Sequence, residues 1–256
     1  MAPAAPDAGP GPTPRHIPPG ERVYAIGDIH GRLDLLEKLV AAIRADNAAR
    51  APARVRIILV GDIIDRGPDS AAIVDRCMAF TARTDAFVVL KGNHEAMMVD
   101  ALRGDFIALA LWLRQGGAAA LRSWGVAEEV IAGGASPALI RAARDRVPPK
   151  VIAWLTDLPL LCRIGDYLFV HAGIRPGRAI DDQSNEDLLW IRREFLESEA
   201  DEGVVVVHGH SVSDEGVTIR PNRIGIDTGA YRTGLLSALA LEGDRRWILA
   251  SSDADR

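Results

Sequence analysis

Five short stretches of the sequence gather side chains that can bind cations or carry protons: GDIHG (27–31), GDIIDRG (61–67), GNHE (92–95), VHAG (170–173) and HGHS (208–211). Each has an unremarkable reading by itself. GDIHG reads as a strand-to-helix turn capped by Asp28, and GDIIDRG as a capped turn with an Asp65–Arg66 ion pair. GNHE reads as a turn before a helix started by Glu95, and His171 as a packed core histidine. Jointly, Asp28, His30, Asp62, Asn93, His171 and one of His208 and His210 make a set of nitrogen and oxygen donors with no thiolate. Such a set suits Mn²⁺, Fe or Zn²⁺. Two such ions about 3.5–4 Å apart form the clamp used in phosphoester hydrolysis.

The elements that must position these donors are short apolar runs ending in glycine or a polar residue. Strands are expected over 22–28, 54–62, 86–94, 167–173, 204–210 and 223–229. Helical periodicity follows the first three, in LDLLEKLVAAIRA, SAAIVDRCMAF and HEAMMVDAL. Strands alternating with helices give an α/β fold, and the loop-spaced later strands point to a mixed sheet or two sheets. His30, His94, His171, His208 and His210 all fall at or just past a strand's carboxyl end, where ligands of open α/β sheets gather. Segment 105–160 reads as a helical insertion.

Bulk properties narrow the class. The chain has 256 residues, 48% hydrophobic and 25% charged, as expected of one globular domain over 21–250. A net charge of −5 argues against nucleic acid or an anionic membrane as partner. No apolar run is long enough to span a bilayer. Cys77 and Cys162 form no CxxC, which fits a reducing cytoplasm and gives no disulfide framework. Seven prolines in residues 1–20 read as a disordered leader, and 251–256 as a frayed tail. Oligomeric state is left open.

GDIHG, GDIIDRG, GNHE, VHAG and GHS, in this order, resemble the signature of the phosphoprotein phosphatase family within the calcineurin-like metallophosphoesterases, most closely its short bacterial serine/threonine phosphatase members. The resemblance implies two mixed β-sheets in a sandwich flanked by helices, and two divalent ions, Mn²⁺ first with Fe or Zn²⁺ as alternatives. It implies that Asp28 and His30 bind one ion, that Asp62 bridges, and that Asn93, His171 and His210 complete the second. His94 would be the general acid and Asp65 the carboxylate that orients it. Arg66 and Arg192 would grip phosphate oxygens, with Asn93 alongside. Arg193 is the fallback for Arg192, where the match in LLWIRREF is looser. A period of two puts His208 and His210 on one strand face, and only the resemblance selects His210, leaving His208 packed or behind the ligands.

Lys91, Arg32, Leu33 and Ser211 depart from common family residues without touching a proposed ligand. Tyr231 lines the site or sits in a surface loop. Trp112, Arg114 and Trp124 in the insertion shape substrate access or form core. The leading reading is hydrolysis of phosphoserine and phosphothreonine in a phosphoprotein or phosphopeptide, with phosphotyrosine as an extension, by in-line attack of water activated between the ions. The alternative is symmetrical hydrolysis of diadenosine tetraphosphate. A third reading, a non-catalytic phosphate-binding scaffold, is disfavoured by intact His94, Asp65 and Arg66, since a binder has no need of a proton donor.

Overall fold

Most of the long apolar runs alternate between two buried surroundings rather than between core and water, and this settles their place. In the computed structural model, which describes residues 15–251, the strands are β1 (Glu21–Ile26), β2 (Arg54–Leu59), β3 (Phe87–Val89), β4 (Leu161–Ile164), β5 (Tyr167–Val170), β6 (Val205–His208), β7 (Thr218–Ile219), β8 (Arg223–Gly225), β9 (Ser237–Glu242) and β10 (Arg245–Ala250). They form two five-stranded mixed sheets, ordered β10-β9-β1-β2-β3 and β4-β5-β6-β8-β7. Val23 and Ala25 of β1 meet Tyr167 and Phe169 of β5 between the sheets. Tyr24 and Ile26 face helices on one side, and Leu168 and Val170 face outward on the other. A sheet covered on both faces needs no polar face, hence the unbroken apolar runs.

Helices α1 (Leu33–Ala48) and α2 (Ser70–Thr81) make the crossovers between parallel β1, β2 and β3, and α3 (Asn93–Arg103) follows β3. The segment expected to be a helical insertion carries α4 (Phe106–Trp112), α5 (Ala118–Ser123), α6 (Glu128–Ala132), α7 (Pro137–Arg146) and α8 (Pro149–Asp157), which extend the core on the outer face of the first sheet. Beyond β5 lie α9 (Asn185–Trp190) and α10 (Arg193–Leu196), and α11 (Ala230–Thr233) precedes β9. Strands β5, β6 and β8 are also parallel, so both sheets send carboxyl ends to one seam. No helix among the described residues is long and apolar enough to cross a membrane.

Two expectations are revised. The strands stop short of their predicted ends, β2 at Leu59 and β3 at Val89, because the motif residues beyond them leave the extended conformation. Residues 1–14 of the expected leader, and 252–256 of the expected tail, lie outside the described residues. Residues 15–20 are held in place: Ile17 is buried between the sheets, and the backbone of His16 exchanges hydrogen bonds with Asp166. The apolar Ile17 supplies the anchor that the surrounding prolines lack.

Candidate metal centre

The turns after the strands are strained, and the strain is confined to the residues with chemistry. His30, Asp62, Asp65, Arg66 and His210, with φ of 46°, 49°, 72°, 65° and 60°, are all the non-glycine residues with positive φ among the described residues. A left-handed backbone costs an L-residue roughly 1–2 kcal/mol and persists only where its surroundings hold it. Glu95, in the first turn of α3, does much of this holding. Its buried carboxylate accepts N–H groups of Gly92 at 2.8 Å, Asp62 at 2.9 Å, Ile63 at 3.0 Å and Ile64 at 3.3 Å. Burial, then the charge of Asp62, raises its pKa to about 7. Gly92 is required here because a Cβ would strike Oδ1 of Asp62.

Two clusters of donor atoms share Asp62: His30, Asp62 and His94, and Asp62, His171 and His210, each within a 4.8 Å span. Oδ2 of Asp62 lies 3.6 Å from Nε2 of His30, and Oδ1 lies 3.4 Å from Nε2 of His171. Asn93 joins the second cluster, its Oδ1 2.8 Å from Nε2 of His171 and 3.0 Å from Nδ1 of His210. Nδ1 of His30 donates to the carbonyl of Ile64 and Nδ1 of His171 to that of Val60, both at 2.9 Å, so Nε2 of each carries the lone pair toward Asp62. Burial lowers the pKa of both, His30 to about 3, which keeps them neutral as metal binding requires.

The remaining donor, Asp28, accepts the His210 N–H through Oδ2 at 3.1 Å, while its Oδ1 and Nε2 of His210 are buried with no hydrogen-bond partner. Burial, then the charges of Asp227 and Asp62, pushes the Asp28 carboxyl well above the carboxylate range. Asp227, from the turn after β8, is likewise buried and raised to about 6, first by burial. Three buried carboxylates with an orphaned oxygen among neutral imidazoles form a site that cations would complete. The residues present therefore fit two divalent ions, although the first cluster by distance contains His94 where the resemblance puts Asp28.

His94 is gripped from behind. Its Nδ1 lies 2.6 Å from Oδ2 of Asp65, and Trp112 donates its indole N–H to both Asp65 oxygens. Burial opposes a charged His94, yet the Asp62 charge and the Asp65 hydrogen bond outweigh it and raise its pKa. Arg66 Nη2 lies 3.2 Å from Nε2 of His94, and its guanidinium stacks 4.3 Å from the centroid of the Tyr231 ring. Arg192 bonds Oγ of Ser211 at 3.2 Å and lines the cleft, whereas Arg193 pairs with Glu197 at 2.9 Å on the exposed surface.

The cleft above the donors holds about 290 Å³ and is walled by Arg66, Arg192, Arg232, Gln115, Trp190 and Tyr231. All the sequence-predicted site residues meet here or directly behind it. His208 does not: it continues the outward face of β6 and packs on Phe195, centroids 5.1 Å apart, while φ of 60° turns His210 off the strand into the site. Trp112, expected to shape access or form core, stands behind Asp65, and Glu95, expected only to start a helix, holds the turn at Asp62; Gln115, Trp190, Asp227 and Arg232 are additions. The polar end of RIGIDTG could have signalled Asp227; the others carry no comparable sign.

Comparisons with known proteins bear on the family and the fold. Residues 21–235 match the family model for calcineurin-like phosphoesterases. A symmetrical bis(5'-nucleosyl)-tetraphosphatase of Acidovorax sp. (strain JS42) is 31% identical over 158 residues, 60% of this chain and 44% of that protein. Serine/threonine-protein phosphatase 1 of Salmonella typhimurium is 30% identical over 177 residues, 68% of this chain and 70% of that one. A solved structure of a candidate diadenosine tetraphosphatase superposes with a TM-score of 0.62 at 21% identity, covering 92% of this chain and 96% of that one. The chain thus spans less than half the length of the Acidovorax tetraphosphatase it matches.

Proposed function

The chain belongs to the calcineurin-like phosphoesterase family, and we propose that within it this protein hydrolyses dinucleoside tetraphosphates symmetrically. One observation carries the choice: three guanidinium groups, Arg66, Arg192 and Arg232, wall a single cleft over the metal ligands. A phosphomonoester needs one pair of forks, whereas a polyphosphate chain presents charge on both sides of the bond to be cut. The tetraphosphatase relatives lend the same reading support. Motifs alone favour a phosphoprotein substrate; Arg232, invisible to them, helps to reverse that order.

Asp28, His30 and Asp62 would hold one divalent ion, and Asp62, Asn93, His171 and His210 the other. Such a pair, when bound, offsets charge on phosphate oxygens and lets water act as a nucleophile near neutral pH. The chain's own residues then set geometry and protons. Arg66, on the His30 side, and Arg192, on the His210 side, fix phosphate oxygens on either side of the scissile bond. An arginine can only donate, so Nε2 of His94 accepts from Arg66 at their contact. Once Arg66 turns to substrate, Nε2 is free to take a proton from solvent and pass it to the leaving oxygen. Asp65 keeps that proton available by holding Nδ1.

Hydrolysis of protein phosphoserine and phosphothreonine is the second reading, favoured by the Salmonella phosphatase, of which the chain spans 70%. Purified protein loaded with Mn²⁺ is assayed on diadenosine tetraphosphate and on a phosphoserine peptide in parallel. The expected result is a kcat/KM at least tenfold higher for the dinucleotide, with ADP as its only nucleotide product. Preference for the peptide sinks the proposal, and AMP with ATP as products sinks its symmetrical form.

A further inference from the structure

Two aromatic side chains line the cleft and stay partly open to solvent, Trp190 and Tyr231, each 36% exposed. They stand on opposite sides of Asp62. Tyr231 packs against His30, with centroids 5.4 Å apart, and Trp190 packs against His210 at 6.3 Å. Their faces differ in availability. Arg66 already stacks on Tyr231. Trp190 meets His210 edge to face at 86°, and among the described residues no cation or parallel ring lies over it.

Trp190 is also rigidly mounted. It ends α9, whose start is capped by Ser184 accepting the Asp187 N–H at 3.1 Å. The Asp187 carboxylate is gripped by Arg175 at 2.6 Å and Arg178 at 3.3 Å, and Leu188 and Leu189 are buried beneath. A partly exposed indole, two residues before a guanidinium that lines the same cleft, puts an aromatic surface beside a group suited to phosphate. Stacking on such a ring is indifferent to base identity and contributes affinity without a hydrogen-bond code.

We propose that Trp190 is the stacking platform for one nucleobase of the substrate, so that this wall of the cleft selects nucleotides over bare phosphate esters. The inference rests on the dinucleotide reading above and adds a residue to it. Protein loaded with Mn²⁺, as wild type, Trp190→Ala and Trp190→Phe, is assayed on diadenosine tetraphosphate and p-nitrophenyl phosphate, and its affinities for ADP and pyrophosphate are measured by calorimetry. In Trp190→Ala the ratio of kcat/KM for the dinucleotide to that for the aryl phosphate should fall about tenfold or more, mainly through KM. The advantage of ADP over pyrophosphate should shrink by a similar factor, and Trp190→Phe should recover most of both. An unchanged ratio, or equal losses on both substrates, overturns the platform while leaving the dinucleotide reading intact. Wild-type protein that does not cleave the dinucleotide overturns both.

Discussion

The indole nitrogen of Trp112 donates to both carboxylate oxygens of Asp65, at 2.8 and 3.0 Å, from a ring with no exposure to solvent. Asp65 in turn holds His94, so a residue of the helical insertion reaches the proton donor through one intermediary. Trp112→Phe keeps the apolar packing and removes the N–H. Burial, opposed then by His94 alone, raises the Asp65 pKa further, and Asp65 retains the proton on His94 less firmly. Turnover should fall on the order of tenfold, the scale of a hydrogen bond to a charged group. The basic limb of the rate profile should move to lower pH, with metal content unchanged, which pH-dependent kinetics and metal analysis would show.

His94→Asn removes the proton donor itself. For a poor leaving group such as a serine alkoxide the rate should fall about 10²-fold or more. For p-nitrophenyl phosphate, whose leaving group needs little protonation, the loss should be several times smaller. Equal losses on both would deny His94 the role of acid.

Asp62 lies at the centre of both donor clusters, so Asp62→Asn should lower the stoichiometry of bound metal and abolish activity at ordinary Mn²⁺ concentrations. Chelation of the wild-type protein should also lower its melting temperature. Ions that bind only the folded state stabilise it by mass action, and here they offset the buried charges of Asp28, Asp62 and Asp227. A melting curve indifferent to chelator would contradict this.

Away from the site, Asp46 accepts from Arg50 at 2.8 and 2.9 Å, from the Tyr24 hydroxyl at 2.7 Å and from Trp247 at 3.2 Å. The Arg50 bond first, then Tyr24, holds its carboxyl below the ordinary range against burial. A folded-state pKa below the unfolded one gives stability that is present above about pH 4 and lost as pH falls through the folded value. The stability gap between wild type and Asp46→Asn should be constant from neutral pH to about 5 and narrow below about 4, by urea titration.

Arg66 occupies the left-handed region at φ 65°. Arg66→Gly and Arg66→Ala both delete the guanidinium and should be comparably poor catalysts. The glycine variant should nevertheless be the more stable by about 1 kcal/mol, because alanine keeps the strain that glycine relieves. Equal stabilities would mean that the turn relaxes around alanine.

The ligand residues are legible in the sequence because each follows an apolar run too hydrophobic to end in charge without a partner. What pattern could not resolve is a matter of backbone angle or tertiary contact. His208 and His210 share a face under strict alternation, and only the turn at His210 separates them. Strand β9, SALALE, is rich in alanine, a weak strand former, and is held in place by pairing with β1. Its two-residue turn at Gly243 and Asp244, with Gly243 at φ 58°, was the sign available for the hairpin with β10. Trp112 shows why the insertion is ambiguous: it is core by burial and part of the site by a single N–H.

The five strained turn residues also give inheritance a direction in this chain. Of these, Arg66 alone neither belongs to a donor cluster nor is buried, so a gene copy released from its reaction could drift to glycine there and gain robustness. Loss of activity and resistance to heat would then travel together. Variants recovered from random libraries for thermal endurance alone should be enriched in poor enzymes carrying glycine at Arg66.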